Sequence, residues 1–123
     1  MIQFNQETGA GGGRRLKILY HPKKEDIHLT AVLAALSDPI RIRLVLDIAK
    51  SGERPCGTFE QPVAKSTMSH HVRTLREAGV LNVRVQGTQH LLSLRSDDLE
   101  ERFPGVLASI LKAAEALERE APR

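Results

Sequence analysis

The stretch KSTMSHHVRTLREAGVL, Lys65 to Leu81, decides the fold. Met68, Val72 and Leu75 recur at i, i+4 and i+7, which is one face of an α-helix. His71, at i+3, shares that face, and a packed, hydrogen-bonded structural role fits it best. Ser69, His70, Arg73 and Thr74 fall on the other side, with Lys65 and Thr67 at the start. Ser66 reads as the N-cap, because a hydroxyl there accepts from an N–H that the first turn leaves unpaired. Gly79 reads as the C′ glycine that stops the helix. The helix therefore has one side to bury and a polar, basic side to show.

The chain on either side extends the pattern. After the helix, Leu81, Val83 and Val85 alternate with Asn82, Arg84 and Gln86. Gly87-Thr88 is a turn, and HLLSLR (90–95) is a second strand, so a β-hairpin is predicted. Before the helix, Leu29, Val32, Leu33 and Leu36 form one apolar stripe, with Asp26 as its N-cap. Ser37-Asp38-Pro39 is a stop and a new start: Asp38 caps, and Pro39 takes the first helical position, where its missing N–H costs nothing. That second helix runs to about Lys50 and is apolar on most of its circumference, so it belongs in mid-core. Ser51-Gly52 ends it. The breaker-rich GERPCGTFEQP (52–62) is a loop with room for one short helix. FPGVLASILKAAEALERE (103–120) is a last amphipathic helix, with Val106, Leu107, Ile110, Leu111, Ala114 and Leu117 in its stripe.

Composition bounds the classes. The chain has 123 residues, enough for one domain with one core. Aromatics are only 3%, so the core must be aliphatic, which favours packed helices. No apolar run approaches the roughly 20 residues that span a bilayer. Met1 to Ala10 has no apolar secretory region. The single cysteine, Cys56, forms no internal disulfide, and a cytoplasmic location is expected. Residues 1–13 end in glycines and read as flexible, and RRLKILYHP after them reads as a short strand or an extended arm.

Charge is distributed unevenly. Residues 62–95 carry Lys65, Arg73, Arg76, Arg84 and Arg95 against a single acid, Glu77, while residues 96–123 carry four bases against seven acids. One face suits a polyanion and another does not. A short helix, a turn and then a capped helix with a polar outer and an apolar inner face is a helix-turn-helix pattern, and the hairpin after it makes a winged helix. Such a helix fits the major groove of DNA with its N-terminal residues at base edges. The candidate DNA-binding residues are Lys65, Ser66, Thr67, Ser69, His70, Arg73 and Thr74, with Arg84, Gln86, Thr88 and Gln89 at the wing. A hydroxyl- and base-rich face is also what a solvated surface helix shows, and the residue pattern alone leaves both readings open.

The segments LSDPIRIRLVLDIA, STMSHHVRTLREAGVL and VRVQGTQHLLSL resemble the ArsR/SmtB-type winged-helix transcriptional regulators over roughly residues 27–115. The resemblance implies a homodimer built by the first and last helices, and sequence-specific binding to an operator with two-fold symmetry. The expected fold is mainly α with a two-stranded β-wing, in the order α-α-α-α-β-β-α. The expected division is a flexible arm at 1–24, the DNA-binding core at 25–97, and a dimerisation helix with its tail at 98–123.

Metal sensing is common in that family, and its usual ligand sets are missing here. GERPCGTFE holds one thiol, which makes no thiolate cage within one chain. Residues 97–120 contain no histidine. A carboxylate-rich site from Asp97, Asp98, Glu115 or Glu118, with His21 or His28 of a partner, is the remaining metal-responsive alternative, against a plain solvated acidic face. His70 and His71 diverge by about 100° on a helix and make a poor metal pair. No cofactor is expected. No phosphate loop or nucleophile elbow is present, so an enzyme is not expected either. The competing class is a winged-helix adaptor that binds a regulatory partner protein.

Overall fold

The computed structural model describes residues 19–59 and 63–120. Of the flexible arm expected at 1–24, residues 1–18 lie outside the described residues. From Leu19 onward the segment is tied to the domain: Tyr20 O accepts from Arg76 and Pro22 O from Arg95. A 3-10 turn, Lys24–Asp26, follows. Helix α1 spans Leu29–Ala35, and its N-cap is His28 with no side-chain bond, so Asp26 does not cap it. The 3-10 turn takes up Asp26 and delays the helix start.

Helix α2 spans Pro39–Ser51. It starts as the sequence dictates: Asp38 Oδ2 accepts from the N–H groups of Ile40 (3.0 Å) and Arg41 (3.1 Å). Gly52, at φ 81°, ends it. Its buried residues are Leu44, Val45, Leu46 and Ile48, and it packs on α3, α5 and β3, the mid-core place its apolar girth calls for.

The short helix for which the loop between α2 and α3 has room is a 3-10 helix of three residues, not an α-helix. Strand β1, Arg54–Pro55, and a 3-10 turn, Cys56–Thr58, stand there, and residues 60–62 are not described. Pairing of Arg54 and Pro55 with Leu92 and Leu91 explains the strand. Pro55 has no N–H to give a helix interior but sits comfortably at a sheet edge. The Arg54 guanidinium lies 3.9 Å over the Phe59 ring and helps hold the turn.

Helix α3 spans Lys65–Ala78, β2 Leu81–Gln86 and β3 Gln89–Leu94. The sheet is antiparallel in the order β1-β3-β2, so it has three strands rather than the expected two. Gln86 faces Gln89 across the Gly87-Thr88 turn, and Gly87 has the positive φ of 63° that such a tight hairpin asks for. The C-terminal region is two helices, α4 Ser96–Arg102 and α5 Val106–Glu120, because Pro104 and Gly105 (φ 81°) break the run. The observed order is therefore α-α-β-α-β-β-α-α.

The core is aliphatic. Ile27, Leu44, Ile48, Leu75, Leu81, Leu92 and Leu99 are among its fully buried side chains. Each such side chain contributes roughly 1.5–3 kcal/mol by leaving water. Ile27, just before α1, packs against Gly79 at the end of α3, so the start of the domain is stapled to the end of that helix.

Candidate nucleic-acid interface

The buried face of α3 holds Met68, His71, Val72, Leu75 and Arg76. This face fixes the helix's rotation. Lys65, Ser66, Thr67, Ser69, His70 and Arg73 are consequently exposed on one side, and Thr74 is half-buried at its border. The helix starts one residue before the expected cap: Ala64 holds the N-cap position without a side-chain bond, and Ser66 lies in the first turn. Its hydroxyl is left facing outward. At the other end, Gly79 N–H bonds Arg76 O at 3.1 Å and Val80 N–H bonds Leu75 O at 2.9 Å, the pairing of a Schellman stop.

His71 locks the helix in place. Arg41 Nη1 donates to its Nδ1 at 3.2 Å, and Arg41 Nε donates to Ala35 O at 2.6 Å. Asp38 Oδ2 lies 3.9 Å from the same imidazole nitrogen while capping α2. One small network thus joins the end of α1, the start of α2 and the middle of α3. His70, its neighbour, points outward; the two rings sit 5.9 Å apart and are tilted by 53°.

The basic residues of 62–95 divide into two groups. Arg76 is buried and bonded to Tyr20 O, and Arg95 bonds Pro22 O (2.7 Å) and Asp98 (2.9 Å). These two hold the N-terminal segment through its carbonyls, and only Arg95 has its charge paired, with Asp98. Arg84 donates to Glu53 through Nη2 at 2.9 Å and Nε at 3.3 Å, and to Gln86 through Nη1 at 3.0 Å. Arg84 also holds the Glu53 carboxyl below its ordinary pKa. Lys65 and Arg73 carry their charge outward with no ion pair among the described residues. Gln86, Thr88 and Gln89 are exposed at the hairpin tip, and so is His90, which the sequence pattern marks only as a strand residue. Its place one pair in from the turn, opposite Val85, is the signal that could have singled it out.

Three of the four acids weighed as metal ligands are engaged otherwise. Asp98 pairs with Arg95, Glu115 with Lys50 (3.4 Å) and Glu118 with Arg43 (2.7 Å). His21 is held between Leu19 O and the Val83 N–H. Among the described residues no group of three or more His, Cys, Asp or Glu is placed to hold a metal ion. Burial raises the Cys56 thiol's pKa, which favours its neutral form. No helix among the described residues is long and apolar enough to cross a membrane.

Residues 36–84 match the model of a helix-turn-helix domain family. The chain is 34% identical over 92 residues to the uncharacterized HTH-type transcriptional regulator YceK of Bacillus subtilis (strain 168), covering 72% of this chain and 92% of that protein. It is 31% identical over 83 residues to the transcriptional repressor SdpR of the same organism, covering 66% and 91%. It is also 31% identical over 74 residues to the arsenical resistance operon repressor of Staphylococcus xylosus, covering 58% and 70%. The crystal structure of a possible transcriptional regulator for arsenical resistance superposes with a TM-score of 0.52 over 78% of this chain and 100% of that one; at 22% identity it speaks to the fold.

Proposed function

Since the chain belongs to the ArsR-type family of winged helix-turn-helix, DNA-binding transcriptional regulators, we propose that it reads a pseudo-palindromic operator in cytoplasmic DNA as a homodimer. The observation that carries this reading is the outward stripe of α3. Lys65, Ser66, Thr67, Ser69, His70 and Arg73 stand clear of the core on a helix whose opposite side is fully anchored.

In this reading α3 of each protomer enters a major groove, with the two helices about 34–36 Å apart. Ser66, Thr67 and the N–H groups of the first turn take phosphate oxygens, and Lys65 adds charge there. His70 and Arg73 reach base edges, with Thr74 at the margin. Thr88, Gln86 and Gln89 at the tip of the wing, with Arg84 behind them, hold the flanking backbone. Exposed apolar side chains on α1 and α5 (Leu29, Leu33, Leu117) form the face between protomers. The arsenical function named for one relative is not carried over: thiophilic ions need several thiolates, and this chain has one cysteine.

The test is fluorescence anisotropy of duplexes from upstream of the protein's own gene across a salt series. Affinity is expected to fall steeply with salt, by a log–log slope of about 0.9 per neutralised phosphate. Arg73→Ala and His70→Ala are each expected to lose about 1–3 kcal/mol of sequence discrimination with unchanged folding. If both variants bind as tightly as the parent, or if salt has no effect, the reading is wrong.

A further inference from the structure

A half-open cavity of about 310 Å³ lies between α3 and the wing. Small-molecule sites run from roughly 300 to 1,000 Å³, so the space suits a compact ligand. One wall is a stripe of α3 that includes Ser69, His70 and Arg73; His90 of β3 stands on the wing side. These four are exposed and form the rim. Val72 and Val83 are buried and form the inner surface, with half-buried Cys56 beside them.

The chemistry of the lining is one-sided. Its polar groups are guanidinium, imidazole, hydroxyl and thiol, and no described lining residue is a carboxylate. Arg76 adds a buried positive charge behind the wall, fixed by its bond to Tyr20 O. Fixed positive charge in a recess focuses an attractive field on anions. A bare inorganic anion leaves the valine surface without a partner, whereas an anion carrying an apolar body covers it. Burial favours the neutral Cys56 thiol, which therefore serves as wall and not as nucleophile.

We propose that this cavity binds a small organic acid, its carboxylate held at the rim by Arg73, His70 and His90 and its apolar body against Val72 and Val83. Arg73 and His70 also belong to the DNA-facing stripe, so acid and duplex exclude each other. That consequence rests on the DNA reading above; the cavity's ligand chemistry does not. Control is thus exerted at the reading surface itself, with no conformational signal needed from elsewhere.

The experiment is an amide-resolved NMR titration of the full chain with benzoate, run beside benzamide, which has the shape without the charge, and inorganic phosphate, which has charge without the body. Benzoate is expected to give saturable shifts at Cys56, Val72, Val83 and His90, about tenfold tighter than either comparator, the equivalent of one charge-assisted contact. Cys56→Leu, which fills the inner end, is expected to weaken benzoate while leaving duplex affinity and melting temperature near those of the parent. Should that variant fold poorly, the benzoate–benzamide comparison on the parent still decides. No saturation, benzamide binding as well as benzoate, or phosphate matching benzoate each overturns the proposal. In the anisotropy assay benzoate, and not benzamide, should release the duplex. If benzoate saturates the cavity but leaves the duplex bound, mutual exclusion is overturned and the cavity assignment stands. If no duplex binds at all, the DNA reading has failed and the amide shifts still report on the cavity.

Discussion

Arg41 and His71 meet side chain to side chain, Nη1 to Nδ1 at 3.2 Å, where α2 approaches α3. A guanidinium only donates, so in this geometry Nδ1 accepts and the ring proton sits on Nε2. His71→Ala removes a buried ring and strands the Arg41 donor, at a cost of about 2 kcal/mol in urea unfolding. His70→Ala, one residue away but exposed, should stay within about 0.5 kcal/mol of the parent. Equal effects from the two histidines contradict the assigned rotation of α3.

Gly79 and Gly87 both have positive φ, 93° and 63°, yet alanine should be far worse at the first. A Cβ at Gly79 would lie 2.7 Å from Ile27 Cγ1 and 2.9 Å from its Cδ1, whereas nothing stands within 4 Å at Gly87. Gly87→Ala should cost only the backbone strain, about 1 kcal/mol. Gly79→Ala adds overpacking of about 1–3 kcal/mol in a filled core. Chemical denaturation of the two variants checks the ordering.

His21 makes stability depend on pH. Its Nε2 accepts from the Val83 N–H at 2.9 Å, and Nδ1 bonds Leu19 O at 3.1 Å, an arrangement that needs the neutral ring. Burial, with Arg76 and Arg95 nearby, pulls its pKa below the ordinary 6.5, against the Leu19 bond that raises it. The unfolded chain therefore takes up the proton first as pH falls. The His21 contribution is complete above pH 6.5 and declines as pH drops from there through the lowered folded value. The stability gap between the parent and His21→Gln, read by urea unfolding, should narrow steadily from about pH 7.5 to about pH 5. A gap that widens on acidification refutes the assignment of a neutral, buried ring.

The proposed dimer predicts the behaviour of the exposed leucines. Leu29 and Leu33 of α1 are 40% and 43% exposed, and Leu117 of α5 is 65% exposed. Leu33→Glu combined with Leu117→Glu should sediment as a monomer and retain its fold. Losing the second half-site should then weaken operator binding by a factor of about 100 or more. A parent protein that already sediments as a monomer contradicts the arrangement.

Much of this architecture is written locally. Asp38-Pro39 starts α2, Ser51-Gly52 stops it and Gly79 stops α3, because each acts through backbone groups only a few residues away. The hairpin is readable for the same reason: alternation fixes the strands and Gly87 fixes the turn. The outward residues of α3 follow from the apolar period of Met68, Val72 and Leu75. Other features are not legible, three of them for clear physical reasons. The start of α3 falls earlier than a Ser66 cap would put it, because Lys65-Ser66-Thr67 offers several polar candidates and burial sets a helix's rotation, not its first residue. Strand β1 exists only through Leu91 and Leu92, far along the chain. Arg76 and Arg95 read as surface charge because their partners Tyr20 and Pro22 lie 56 and 73 residues away.

The hold of His21 on Val83 reaches beyond pH. Strand β2 lies at the margin of the sheet, and an open margin is a template onto which another polypeptide can add. The Val83 amide is already occupied by the molecule's own leading segment. Chains in which that segment has come loose are thus the species from which clumping should begin, and losses during storage should track its release more closely than global unfolding.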